Sequence, residues 1–127
     1  SKYITMKTNS RDIAVIVKLI QDTRQKKLIW TKYNKYFLDV NQSPITSVAI
    51  LFDPVDGVYI TSYKDRYFQV FKILSPIQEE YVLQLSGRNS RKVDKEFDDS
   101  ASIKDLYLAI LEQENGLDSF LNDFLKN

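Results

Sequence analysis

Two residue types are missing altogether from the 127-residue sequence: cysteine and histidine. Without cysteine there is no disulfide framework, no thiolate nucleophile and no sulfur ligand for a metal. Without histidine the usual general base near neutral pH and the commonest metal ligand are gone. The two absences exclude Ser-His-Asp triads, Cys-His dyads, redox pairs and zinc sites built from sulfur and imidazole. Glycine is scarce as well. Gly57, Gly87 and Gly116 stand far apart, so no glycine-rich loop is available to bring backbone amides up to a phosphate. No catalytic residue, no metal site and no cofactor is therefore expected. No apolar run approaches the roughly 20 residues needed to cross a bilayer, and the first ten residues lack the apolar stretch of a signal peptide. The expectation is a cytoplasmic protein without a membrane partner.

What is present points to a packed domain. Hydrophobic residues make up 43% of the chain and aromatics 13%, which is too much branched and aromatic side chain for disorder. The length suits a single domain spanning residues 1–127. The net charge of +1 is unevenly spread. Residues 1–36 hold nine Lys/Arg against Asp12 and Asp22, a balance of +7, whereas residues 94–127 hold nine acids against three bases, a balance of −6. Oppositely charged ends either attract one another within the fold or offer two faces to partners, and the first is the preferred reading.

The patterning gives the elements. Ile13, Ile16, Val17 and Ile20 mark one face of a helix over residues 12–25, with Asn9 as its cap and Asp12 as capping-box partner. Two aromatic-rich runs, residues 28–33 and 36–40, flank Asn34-Lys35 and read as a tight hairpin. Residues 46–52 carry the clearest strand alternation. Strands over 58–64, 67–74 and 80–85 follow, with Asp53 to Gly57 and Asp65-Arg66 as turns. Residues 87–99 read as a polar stretch anchored by Val93 and Phe97. Ser102 and Asp105 form a capping box ahead of Ile103, Leu106, Tyr107, Ile110 and Leu111 on one helical stripe. Asn115-Gly116 stops that helix, and Leu117, Phe120, Leu121, Phe124 and Leu125 repeat the spacing in a short last helix. The order implies an α+β fold: an N-terminal helix, an antiparallel meander of five or six strands, and two C-terminal helices packed on one sheet face.

Leu19-Ile20, Lys26-Lys27-Leu28-Ile29-Trp30, Leu106-Tyr107 and the acidic-aliphatic tail from Leu117 to Leu125 also carry a resemblance. In these positions the layout resembles small uncharacterised bacterial proteins of phages and mobile elements, with a helix, a Trp-containing strand, an antiparallel sheet and C-terminal helices. The resemblance implies a bacterial, accessory, non-enzymatic context rather than a particular chemistry.

Two functions remain in order of preference. The first is a non-catalytic protein-interaction module, such as an inhibitor, immunity or accessory factor, with a protein partner or a second copy of itself. Its binding surface would be the partly wet sheet face or the basic loop of Arg88, Arg91 and Lys92, with Tyr59, Tyr63 and Tyr67 as contact aromatics, since tyrosine is enriched at interfaces. The second is nucleic-acid binding through Lys26, Lys27, Trp30, Lys32 and Lys35, where cations interleave with aromatic rings and alternation places Trp30 and Lys32 on one side. Asp94, Glu96, Asp98 and Asp99 are a third cluster, read as a solvated acidic run before a helix rather than as a cation site.

Overall fold

A computed structural model describes residues 10–39, 54–74 and 79–127. The chain runs α1 (Ser10–Arg24), β1 (Thr31–Tyr33), β2 (Val55–Tyr63), β3 (Arg66–Leu74), β4 (Glu79–Ser86), β5 (Val93–Phe97), α2 (Ser100–Asn115) and α3 (Leu117–Lys126). The five strands form one sheet in sequence order, each antiparallel to the next. The α+β meander expected from the patterning is thus the fold observed. The strand expected over residues 46–52 lies outside the described residues.

Alternation along the strands separates two faces. One is covered by α1 and α2. There Ile16 and Leu19 of α1, Tyr59, Val70 and Leu83 of the sheet, and Ile103, Leu106 and Ile110 of α2 form the main core, closed by Trp30 and Phe97. The other face carries a smaller apolar layer of Val58, Phe71 and Val82.

Four local expectations are corrected. The hairpin of residues 28–33 with 36–40 does not form: β1 pairs with β2, Thr31 opposite Ile60, and residues 34–39 leave the edge and cross the outer face as a strap. The Phe37 and Leu38 amides have no strand to bond, and both donate to the Gln69 side-chain oxygen at 2.9 Å. The β2–β3 turn lies one residue earlier than expected, at Lys64-Asp65, with Lys64 at φ +54°. The N-cap of α2 is Asp99 rather than Ser102: its carboxylate accepts from the Ser102 amide at 3.1 Å and the Ser102 hydroxyl at 2.9 Å. The stretch read as polar contains β5, whose Val93-Asp94-Lys95-Glu96-Phe97 has too few apolar residues to signal a strand.

The expected attraction between the charged ends takes an unexpected form. Among the described residues, the ion pair joining them runs from Lys95 of the acidic third to Asp12 of the basic end, at 3.0 Å. Asp12 is 8% exposed, so it pins the start of α1 to β5.

Gly57, expected in a turn, lies inside β2 where its register with β3 shifts between Val55 and Tyr59, and its surroundings show why a glycine stands there. Its φ is +81°, and a Cβ there would sit 2.8 Å from the Tyr33 carbonyl oxygen on the neighbouring strand. Any side chain would push β1 off the sheet edge.

Candidate interaction surfaces

The tyrosines expected to share a face do not. Tyr59 points under the helices, 1% exposed, with its hydroxyl donating to Glu114 Oε1 at 3.0 Å and its ring edge-on to Tyr107. Tyr63 is on the same side of β2 but beyond the cover of α2, and is 61% exposed. Tyr67 is paired opposite Ser62, one position out of phase, and therefore lies on the outer face. The nucleic-acid set is divided too. Trp30 belongs to the core, and its indole N–H donates to Thr23 Oγ1 at 2.9 Å, which removes it as a stacking platform. Lys26 bonds Ser119 of α3, Lys32 lies 5.9 Å from the Tyr59 ring on the helix side, and Lys27 and Lys35 are exposed.

What the structure does bring together is a patch on the outer face that neither set anticipated whole. Tyr33 stacks on Phe37 with centroids 5.2 Å apart, Phe37 meets Tyr67 edge-on at 5.0 Å, and the Arg91 guanidinium lies 4.3 Å over the Phe37 ring. The strap makes this possible by carrying Phe37 between β1 and the β4–β5 loop, where the Asp39 amide donates to the Arg91 carbonyl at 2.9 Å. Beneath it runs a polar ladder. Gln69 donates to Gln84, and Gln84 donates to Glu96, each at 2.9 Å, with both glutamines fully buried. Arg88, Arg91 and Lys92 are exposed on the adjoining loop, where Arg88 pairs with Asp65 at 2.9 Å.

The second surface is α3. Its stripe of Leu117, Phe120, Leu121, Phe124 and Leu125 is 45–80% exposed. Its described side chains are all exposed, and Ser119 ties the helix to the body through a hydrogen bond from Lys26. Gly116, at φ +63°, ends α2 in a left-handed C-cap and sets this direction. Between α3 and the body lies a cavity of about 360 Å³ walled by Ile29, Trp30, Ala109 and Ile110.

Several titratable groups with shifted pKa lie on the helix side of the sheet. Lys72 pairs with Asp56 at 2.9 Å, which raises its pKa. The Tyr81 hydroxyl bonds Glu79 Oε2 at 2.6 Å, and this bond with burial pushes its pKa up to about 12. Burial, then Glu114, raises that of Tyr59, and burial raises that of Tyr107. Every one of these shifts moves away from neutrality. Three of the four acids in the cluster have partners within the fold: Asp94 reaches Arg66 at 3.7 Å, Glu96 ends the glutamine ladder and Asp99 caps α2, while Asp98 is exposed.

Among the described residues, no helix is long and apolar enough to cross a membrane. Comparison with protein-family models, with curated proteins and with solved structures gives no match.

Proposed function

We propose that this chain is a non-catalytic protein-interaction module, that its contact element is α3, and that the occupant of the α3 stripe is a second copy of the chain. The observation that carries the reading is the exposed apolar stripe of Leu117, Phe120, Leu121, Phe124 and Leu125. The five exposed side chains offer on the order of 600 Å² of apolar surface. That equals the largest apolar patch of a typical monomer, about 300–600 Å². Joining two such helices buries about 1,200 Å², which reaches the lower bound of specific interfaces. A membrane surface is a poorer occupant, because interfacial helices carry Lys and Arg on their polar face, and α3 has Lys126 against Asp118 and Asp123.

The non-catalytic part of the reading rests on the sequence, which has neither histidine nor cysteine to serve as base or nucleophile. An accessory or inhibitory role in a phage or mobile element, implied by the sequence resemblance, is compatible with a small adhesive domain of this kind.

Sedimentation velocity across a concentration series tests the reading. Wild type is expected to dimerise, and the double variant Phe120→Ser/Phe124→Ser to remain monomeric with an unchanged circular dichroism spectrum. A wild type that stays monomeric at every concentration removes the self-pairing. A variant that dimerises like wild type places the interface elsewhere.

A further inference from the structure

We propose that the outer-face patch around Tyr67 binds single-stranded nucleic acid, with bases held against Tyr33 and Tyr67 and phosphates met by Lys64 and Arg91. This site is separate from α3 and does not depend on dimerisation.

Two hollows flank Tyr67. One, of about 340 Å³, includes Lys27, Tyr33 and Ser62 in its wall, and the other, of about 370 Å³, includes Lys64, Asn89 and Arg91. Both have the volume of a small-ligand pocket, and they share the Tyr67 ring as a common wall. Each has an aromatic surface and at least one cation. That pairing fits a strand whose bases are unstacked, because every base has a π-face and every nucleotide a phosphate. A duplex offers the phosphates without the π-faces, since its stacked bases expose only their edges in the grooves.

The electrostatics agree. Among the described residues, Lys64 and Arg91 have no carboxylate partner; Lys64 lies 5.5 Å from the exposed Tyr63 ring and Arg91 over Phe37. The acid nearest the second hollow, Asp65, is neutralised by Arg88. Asp94 is similarly engaged by Arg66. Asp39 and Glu96 are further acids beside the patch, against the further cations Lys27, Lys35 and Lys92. The balance is positive although the whole chain is close to neutral.

The site is also held in shape before any ligand arrives. The Asn89 amide donates to the Asp65 carbonyl at 2.9 Å, which locks the β2–β3 turn to the β4–β5 loop. Asn89 takes φ +50° to make that bond. The Gly87 amide closes the same loop on the Lys92 carbonyl at 2.9 Å, and the strap is fixed from the other side through Asp39 and Gln69. A rigid recess loses little conformational entropy on binding. RNA and DNA share the chemistry argued here, so the experiment separates them.

Fluorescence anisotropy with labelled oligo(dT) and oligo(U) of about 12 nucleotides, a length within the usual single-strand site size, is the test. Wild type is expected to bind one or both, with affinity falling as salt rises. The variant Lys64→Ala/Arg91→Ala, altering two exposed side chains, is expected to flatten the log–log salt slope by about 1.4, two phosphate contacts at about 0.7 each. Tyr33→Ser is expected to weaken binding about tenfold with the slope unchanged, which separates stacking from charge. The relative affinity for oligo(U) and oligo(dT) identifies the natural class. The α3 variant Phe120→Ser/Phe124→Ser is expected to bind like wild type, so loss of dimerisation and loss of binding are read separately. No binding by wild type, an unchanged slope in the double variant, or a duplex bound as tightly as the single strand would each overturn the proposal.

Discussion

Thr23 and Trp30 form a buried relay at the end of α1: the Trp30 indole N–H donates to Thr23 Oγ1 at 2.9 Å, and the Thr23 hydroxyl donates onward to the Leu19 carbonyl at 2.6 Å. The relay fixes the indole as core, and Gln113 of α2 clamps it from the other side. The Gln113 oxygen accepts from the Trp30 amide at 3.2 Å, and its nitrogen donates to the carbonyls of Thr23 and Leu28. One side chain of α2 thus holds the connection between α1 and the sheet.

Thr23→Val keeps the shape and removes the acceptor, leaving the indole N–H buried without a partner. The expected cost is about 1–3 kcal/mol. Urea unfolding followed by tryptophan fluorescence reads it directly, since Trp30 is the single tryptophan.

Gln69→Leu is expected to cost about 3 kcal/mol, because it takes the acceptor from two backbone amides and a donor from Gln84. The strap should loosen with it. Amide exchange at Phe37 and Leu38 is expected to accelerate more than exchange in α2, and equal acceleration throughout would mean that the ladder does not anchor the strap.

Alkaline pH should unfold the protein through its tyrosines. In the unfolded chain they ionise near pH 10, whereas the fold holds the protons on Tyr59, Tyr81 and Tyr107 to higher pH. Above about pH 10 the folded state therefore binds more protons than the unfolded one, and stability falls as pH rises. It is full below pH 10 and is lost as pH climbs through about 12, the value for Tyr81. Phenolate absorbance is expected to appear together with the loss of circular dichroism rather than ahead of it for these three residues.

Tyr107→Phe is expected to be neutral or stabilising by up to about 1 kcal/mol. Its hydroxyl is buried and, among the described residues, has no hydrogen-bond partner, so removing it relieves desolvation without breaking a bond. Tyr59→Phe, which breaks the bond to Glu114, is the contrast and should not stabilise. Thermal melting of the two variants side by side checks both.

The parts of this fold that were legible in the sequence are those where period and partner agree. Ile103, Leu106, Tyr107 and Ile110 read as a helical stripe and are buried as one. Alternation in β3 and β4 located both strands within a residue or two. Where pattern and destination part, reading failed. Phe120 and Phe124 have the spacing of a core face, yet their side chains point outward, because periodicity fixes which residues share a face and not what that face meets. Tyr59 and Tyr67 both look like wet strand residues, and only the register of β2 on β3 shows that they lie on opposite sides. The outer-face patch was legible in fragments. Tyr33, Tyr67 and Arg91 come from three separate segments, and a strap that crosses the sheet without strand pairing leaves no period to find.

Gly116 has one further consequence. Nothing lies within 4 Å of where its Cβ would be, and α3 leaves the body there as an appendage. A helix so attached is expected to open locally apart from the sheet, with amide exchange in α3 faster than in α2. If α3 is the contact element proposed above, substitutions along its exposed stripe are expected to change association far more than stability.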